Sequence, residues 1–262
     1  MKTKLVQLRD FVGHEHPASK LFRLIELQTI YKQTKGISFK QPSMDLGGGD
    51  GYLSSILFDS RFTYNIDNGE AKDLHIAVRK NRYKKVLIES AEKMSLKNDS
   101  INFVFSNSVI EHIPNNDAVL SETARVLKKG GAFVFTSPSD NFKYYLWLSN
   151  VLGRMGLGFL GKIYRERRNR MLNHYHTYSH KTWYKKLKKH GLILKKYKYY
   201  ISKDTCMLWD KIAWEVRLKK LWGINAEKAV FNKYKDTILE YSLNDKVKND
   251  EGASVFIYAI KK

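Results

Sequence analysis

A glycine-rich turn is the part of the sequence best suited to hold a ligand. It reads Asp45-Leu46-Gly47-Gly48-Gly49-Asp50-Gly51. Its alternate glycines let a ligand lie against bare backbone, and a helix that follows would offer free N–H groups. The dinucleotide fingerprint Gly-x-Gly-x-x-Gly is not met, because Tyr52 and Ser54 occupy the sixth places from Gly47 and Gly49. Nicotinamide binding is disfavoured, and a turn that only reverses the chain is the alternative.

An acidic residue stands at a useful distance from this turn. Asp67 follows Gly49 by 18 residues, at the end of a second apolar segment. An acidic side chain in that place can accept hydrogen bonds from both hydroxyls of a ribose. The spacing favours a ligand contact over a role in solubility alone.

Segments of alternating pattern must position these residues. Strands are predicted at 43–46, 62–66, 85–88, 101–105, 132–136, 192–201 and 253–260, and helices at 52–58, 71–79, 117–129 and 180–190. Residues 206–243 are helical in period and rich in aromatic side chains. Strands and helices that alternate at this interval predict a parallel sheet covered on both faces, with ligands at the carboxyl ends of the strands.

From the glycine turn onward the chain resembles the class I S-adenosylmethionine-dependent methyltransferases, in the small-molecule and lipid branch whose first motif is Asp-x-Gly-x-Gly-x-Gly. The resemblance covers residues 44–138. It continues through blocks that follow in order, namely Ser90-Ala91-Glu92, Ser100-Ile101-Asn102-Phe103-Val104, Val109-Ile110-Glu111-His112-Ile113 and residues 122–131. Several blocks in the right order are more specific than any one of them.

The resemblance implies an α/β, Rossmann-like fold with a seven-stranded, mostly parallel sheet whose last strand is antiparallel. It also implies that S-adenosyl-L-methionine lies over the ends of the first, second and fourth strands. The implied cofactor-binding residues are Asp45, Gly47, Gly49 and Gly51 of the turn, Asp67 for the ribose, Ser90, Ala91 and Glu92 around the adenine, and the Asn107 backbone near the methionine ammonium group. Two positions depart from the family, which often has Asp where Ser90 and Asn102 stand.

Methyl transfer from a sulfonium requires an aligned acceptor, and a general base matters only when the acceptor carries a proton. His112, at the end of the predicted fourth strand, is the candidate base, with packing of the following helix as the alternative. The group His174, Tyr175, His176 and His180 is a second source of bases. A zinc site on His174 and His176 would need a further ligand, so no metal site is predicted.

The chain is strongly basic, with 47 Lys and Arg against 26 Asp and Glu and a net charge of +21 in 262 residues. Residues 1–140 hold 20 basic and 16 acidic residues, whereas residues 141–262 hold 27 and 10. The excess in the second half indicates an anionic partner, which charge alone does not identify. A hydrophobic content of 43% suffices for a core, and the single cysteine excludes an intramolecular disulfide.

Apolar and aromatic residues at 144–160, including Trp147, Leu148, Val151, Leu152 and Phe159, stand directly before a group of cations. These cations are Lys162, Arg165, Arg167, Arg168 and Arg170. The arrangement is typical of an interfacial helix on an anionic membrane, and a solvated charged face is the alternative. With neither a spanning segment nor a signal peptide predicted, we expect a cytoplasmic protein, at the inner face of the membrane if this block makes contact.

The predicted organisation is a single methyltransferase domain over residues 1–262. Residues 1–38 form an amino-terminal helical segment and 39–140 the cofactor-binding core. Residues 141–180 and 204–250 are helical insertions that cap the strand ends and define the acceptor pocket. Residues 181–203 and 251–262 supply the closing strands.

The function predicted is methyl transfer to a hydroxyl or similar polar group of a sugar, lipid-linked or phosphorylated acceptor, in the synthesis of cell-surface glycans, polysaccharides or lipids. RNA and a soluble small molecule are the alternative acceptors, since basic residues interleaved with aromatics also bind nucleic acid. A non-catalytic module is disfavoured, because a protein that has lost its cofactor has no physical need for Asp67 and the glycine turn. The sequence predicts neither the oligomeric state nor the atom that is methylated.

Overall fold

A computed structural model describes residues 1–11, 16–69, 71–221, 223 and 225–262. Within these residues seven strands form one sheet: β1 Ser43–Leu46, β2 Phe62–Asp67, β3 Tyr83–Ile88, β4 Ile101–Asn107, β5 Leu127–Pro138, β6 Leu192–Tyr200 and β7 Ser254–Lys261. Their order across the sheet is β3-β2-β1-β4-β5-β7-β6. Strand β7 is antiparallel to both of its neighbours, and all other pairs are parallel. The predicted sheet is confirmed.

The α-helices are α1 Pro17–Thr34, α2 Tyr52–Leu57, α3 Ala71–Arg79, α4 Asn116–Val126, α5 Trp147–Arg154, α6 Gly158–Met171, α7 His180–Lys189, α8 Lys203–Leu221 and α9 Ala226–Asn244. The helix predicted at 117–129 was extended too far, because Leu127 is buried in the sheet and pairs with Ile101. The single helical stretch predicted at 206–243 is divided between α8 and α9. No helix in the described ranges is both long and apolar enough to cross a membrane.

The central strands of the sheet are mostly buried, and their side chains alternate between two apolar layers. In β4, Phe103 and Phe105 pack in the layer that contains residues of α1, α8 and α9, whereas Val104 packs in the layer that contains Trp183 of α7. All four residues of β1 are buried. A strand covered on both faces is rich in apolar residues, as β4 is, which explains why such strands were readable from the sequence.

The order of the strands places the site. From β1 the chain builds outward through β2 and β3, and it then returns to the other side of β1 with β4. Such a switch in direction opens a crevice at the carboxyl ends of the two central strands. Helix α1 contacts α8 and α9, and α8 also contacts α5. Helices from both ends of the chain are thereby brought together on one face of the sheet.

Candidate active site

The glycine turn adopts a backbone that favours glycine. Gly47, Gly49 and Gly51 have φ angles of 74°, 52° and 74°, in the left-handed region. A Cβ on Gly51 would lie 2.6 Å from the Tyr83 ring, whereas a Cβ on Gly49 would meet nothing within 4 Å. The turn is therefore closed on the side of Gly51 and open above Gly49.

Asp67 is fixed by the turn that it faces. One of its carboxylate oxygens accepts a hydrogen bond from the Gly49 N–H at 2.7 Å, and the other accepts from the Gly69 N–H at 2.7 Å. A carboxylate oxygen can accept more than one hydrogen bond, so both oxygens retain capacity for a ligand. The pair of backbone bonds holds the side chain in one orientation.

Asp45 lies beneath the turn rather than in a cavity. Its side chain is buried and accepts hydrogen bonds from the Ser54 hydroxyl and, at 2.6 Å, from the Tyr83 hydroxyl. Tyr83 also lies 3.3 Å from the Gly48 carbonyl. Burial raises the pKa of Asp45 to about 6. Asp45 thus braces the glycine turn and is not placed to contact a ligand directly.

A first cavity, of about 380 Å³, opens at the ends of β1, β2 and β3 and beside the segment after β4. It is lined by Leu46, Gly47, Ile66, Asp67, Asn68, Glu89, Ser90, Ala91, Glu92, Val109, His112, Ile113 and Pro114. The structure therefore brings six predicted site residues into one cavity, namely Gly47, Asp67, Ser90, Ala91, Glu92 and His112. The other four, Asp45, Gly49, Gly51 and Asn107, are not among its lining residues.

A second cavity, of about 190 Å³, adjoins the first at His112, whose side chain lines both. Its other walls come from α1, the segment after β4, the segment after β5, the loop after α6, and α8. They consist of Ser19, Phe22, Arg23, Ser108, Glu111, Pro138, Phe142, Leu172, His174 and Trp209. Parts of both predicted insertions, residues 141–180 and 204–250, thus reach the same small space.

His112 belongs to a short 3-10 helix, Ile110–His112, that directly follows β4. Its Nδ1 lies 3.1 Å from the Asn173 carbonyl oxygen, so Nδ1 carries the proton and Nε2 has the free lone pair. Burial lowers the pKa of His112 below its ordinary value. The ring is therefore neutral at pH 7 and able to accept a proton at Nε2.

Arg23, which lines the second cavity, forms an ion pair with a buried carboxylate behind the cavity wall. Glu26 has no exposed surface and lies 2.5 Å from the Arg23 guanidinium. It also accepts hydrogen bonds from Ser108 at 2.8 Å, Tyr200 at 2.7 Å and the Asn107 amide at 3.1 Å. Burial alone would raise the pKa of Glu26, but Arg23 and these donors hold it below its ordinary value. The Asn107 side chain thus stabilises the buried Glu26 carboxylate.

Two other groups in the second cavity lack hydrogen-bond partners. Within the described chain, Glu111 Oε2 and His174 Nδ1 are buried and unpaired. Burial raises the pKa of Glu111 to about 8 and lowers the pKa of His174 to about 3. Both groups are therefore held largely in their neutral forms at pH 7.

The predicted histidine cluster is divided by the structure. His174 lines the second cavity, whereas His176 lies 2.8 Å from the Pro114 carbonyl and His180 stacks on Tyr197 at 4.0 Å. Sequence reasoning assigned no role to Arg23, Glu26 or Trp209, and it noted Glu111 only as part of a motif. One sequence pattern could have indicated the ion pair. Arg23 and Glu26 lie three residues apart within an apolar helical segment, so the two charges share one helix face.

The predicted membrane block is only partly exposed. Phe159 and Ile163 of α6 are 65% and 59% exposed, but Trp147, Leu148, Val151 and Leu152 of α5 are half-buried. Arg168 is 3.2 Å from buried Asp210 and lies over the Trp209 ring at 4.9 Å. A third cavity, of about 340 Å³, is lined by Leu148, Tyr164, Arg167, Arg168, Met171, Ala213, Trp214 and Arg217.

Known proteins resemble both the central part of this sequence and the whole fold. Residues 44–135 match a family model described as a methyltransferase domain. An uncharacterized methyltransferase of Mycobacteroides abscessus is 26% identical over 135 residues, which make up 49% of this chain and 49% of that protein. The chain thus spans about half the length of the curated relatives it matches.

Two solved structures extend the likeness to almost the whole chain. A methyltransferase of Thermotoga maritima, described as a possible histamine N-methyltransferase, has a TM-score of 0.58 at 20% identity, with 94% of this chain and 91% of that one covered. Phosphoethanolamine N-methyltransferase 2 of Haemonchus contortus, solved with S-adenosyl-L-methionine, has a TM-score of 0.55 at 18% identity, with 98% and 60% covered. At these identities the likeness concerns the fold.

Proposed function

Because the chain belongs to the class I S-adenosylmethionine-dependent methyltransferases, we propose that it transfers a methyl group from S-adenosyl-L-methionine to a polar acceptor held in the second cavity. The observation that carries this proposal is the pair of cavities that meet at His112. A transferase needs two adjoining sites, one for the donor and one for the acceptor, because alignment of the two supplies much of the rate.

The first cavity fits the cofactor. Asp67 presents carboxylate oxygens that can accept hydrogen bonds from ribose hydroxyls, and Ser90, Ala91 and Glu92 lie along the same cavity. The space above Gly49 is open to a ligand that approaches the backbone. When bound, S-adenosyl-L-methionine supplies an electrophilic methyl group on a positively charged sulfur. The acidic residues Asp67, Glu89 and Glu92 in this cavity suit that charge.

His112 is the group that we propose to accept the acceptor's proton. Its ring is oriented by the Asn173 carbonyl, and it borders both cavities. A neutral imidazole beside a hydroxyl acts as a general base as the oxygen becomes bonded to carbon. Trp209, Phe142 and Phe22 line the second cavity and would exclude water from the acceptor.

For the acceptor we propose a hydroxyl of a sugar, lipid-linked or phosphorylated molecule. The third cavity combines Arg167, Arg168 and Arg217 with apolar side chains, a lining that suits an amphipathic anion. Arg168 connects this cavity to the second one through its contact with Trp209. A molecule with an anionic part in the third cavity could thus present a hydroxyl to the second. Contact of α6 with an anionic membrane would supply such molecules.

An amine is the second candidate acceptor. The aromatic rings of Phe142 and Trp209 line the second cavity, and such rings can accommodate an alkylammonium. The two solved relatives named above carry amine acceptors in their names, which agrees with this candidate.

The test is transfer of a trideuteriomethyl group from labelled cofactor to fractionated cell-envelope, RNA and small-molecule extracts, with the product identified by mass spectrometry. We expect label in the envelope fraction, on oxygen. His112→Ala should reduce turnover by about 10²-fold or more while retaining cofactor binding, and His75→Ala on the exposed surface of α3 is the control. Label in RNA, in a soluble molecule or on nitrogen would contradict the proposed acceptor, and no label in any fraction would contradict the proposed activity.

A further inference from the structure

Three side chains converge in the second cavity, and we propose that Glu111, His112 and His174 bind a divalent transition-metal ion. Each offers one ligand atom, and the three atoms lie within 4.8 Å of one another. An ion bound at about 2.0–2.2 Å from each atom leaves them roughly 3–4 Å apart.

The unpaired atoms of the cavity are explained by such an ion. Glu111 Oε2 and His174 Nδ1 are both buried and lack partners within the described part of the chain. A buried acceptor without a partner costs about 1–3 kcal/mol, and two of them in one cavity indicate that something else satisfies both. A cation placed between them would do so in a single step.

The ligands are already held by the groups around them. His112 directs its Nδ1 proton at the Asn173 carbonyl, which leaves Nε2 for a metal, the arrangement that metal-binding histidines generally have. The Tyr175 N–H donates to the Glu111 carbonyl at 2.9 Å, and the Asn169 amide donates to the His174 carbonyl at 3.0 Å. The loop that carries His174 is thereby fixed against the segment that carries Glu111.

The two arginines beside the cavity each have a buried carboxylate partner. Arg23 pairs with Glu26, and Arg168 pairs with Asp210. With those charges balanced, an ionised Glu111 leaves the cavity with one negative charge in excess. A divalent ion compensates this charge and displaces the proton from Glu111.

The ligand types select the class of metal. Two imidazoles and one carboxylate suit Zn²⁺, Fe²⁺, Mn²⁺ or Co²⁺, whereas Mg²⁺ and Ca²⁺ prefer oxygen ligands throughout. Three protein ligands leave coordination positions open to the cavity. With the ion bound, Nε2 of His112 is a ligand and accepts no proton, so His112 would act as the general base only in the metal-free protein. Metal binding itself does not depend on the reaction.

The test is a titration of the metal-free full-length protein with Co²⁺ alone, followed by calorimetry and by visible absorption of the bound ion. We expect one equivalent to bind with an absorption typical of nitrogen and oxygen ligands. His174→Ala and Glu111→Gln should each weaken Co²⁺ binding about tenfold or more. His75→Ala, which removes an exposed histidine of α3, should leave it unchanged.

Cofactor binding by the same variants, measured separately, shows whether the fold is retained and whether the first cavity works. Co²⁺ affinity that is equal in wild type and His174→Ala would overturn the metal site, whatever the turnover. Calorimetric binding of methylammonium chloride to a protein that does not bind Co²⁺ would also overturn the metal site and would identify an ammonium site. Co²⁺ binding in a protein that shows no methyl transfer would support the metal site and count against the proposed function alone.

Discussion

Glu111→Gln should stabilise the metal-free protein, and by an amount that grows with pH. The carboxyl is fully buried, and burial raises its pKa to about 8 from an ordinary value of 4.5. Below pH 4.5 the folded and unfolded chains both hold the proton, so the charge contributes nothing. Between pH 4.5 and 8 the unfolded chain releases the proton while the folded chain retains it, so wild-type stability falls as the pH rises. Above pH 8 both are ionised and the loss is complete.

The size of the effect follows from the two pKa values. The interval from 4.5 to about 8, at about 1.36 kcal/mol per pKa unit, corresponds to a loss of about 5 kcal/mol. Glutamine keeps the shape of the side chain but has no charge to bury. The variant should therefore match wild type near pH 4.5 and exceed it by a few kcal/mol near pH 8.5.

Urea denaturation of wild type and Glu111→Gln across this pH range, with a chelator present, provides the measurement. Glu240→Gln, which changes an exposed carboxyl of α9, controls for loss of charge alone and should give a small difference at every pH. A difference between Glu111→Gln and wild type that stays constant from pH 4.5 to 8.5 would refute the reasoning, since it would mean that Glu111 ionises in the folded state as it does in water.

Three further outcomes are expected. Gly49→Ala should weaken S-adenosyl-L-methionine binding about tenfold, because the added methyl group would crowd the ligand. Gly130→Ala, a control with the same left-handed backbone and open surroundings, should leave binding unchanged. Equal cofactor affinities of the two variants in calorimetry would contradict the placement of the cofactor. Arg23→Met should lower the free energy of unfolding by about 3 kcal/mol in urea denaturation, because the buried Glu26 charge then keeps only its neutral hydrogen-bond donors. Adding Glu26→Gln should recover most of this loss, and an Arg23→Met variant as stable as wild type would contradict the reasoning. Binding to anionic vesicles should fall with salt, and Phe159→Glu should abolish the part that survives salt; no binding at low salt would rule out the membrane contact.

The sheet was predictable because its rules are local. A strand buried on both faces reads as a short apolar run, and β4 with its buried Phe103, Val104 and Phe105 shows this directly. The glycine turn was equally readable, because the left-handed backbone at Gly47 and Gly49 favours glycine over other residue types. Asp67 followed from its spacing, and the structure places it in the first cavity with Ser90.

The second cavity was not predictable to the same extent. Arg23 lies on α1 and Trp209 on α8, and only the packing of these helices beside the end of β4 brings both to Glu111. These residues are far apart in the sequence, and no motif or periodicity predicts that they meet. The role of Asp45 was hidden for a similar reason, since its partner Tyr83 comes from a strand two positions away in the sheet.

Strand β7 lies between β5 and β6, although residues 201–253 separate it from β6 in the chain. During synthesis β6 therefore has no neighbour to pair with until both α8 and α9 have been made. Tyr200 at the end of β6 donates to Glu26 of α1, so completion of that ion-pair network also waits for β7. The first cavity draws only on residues 46–114. In a growing chain, all residues of the first cavity are therefore present before Trp209 completes the lining of the second.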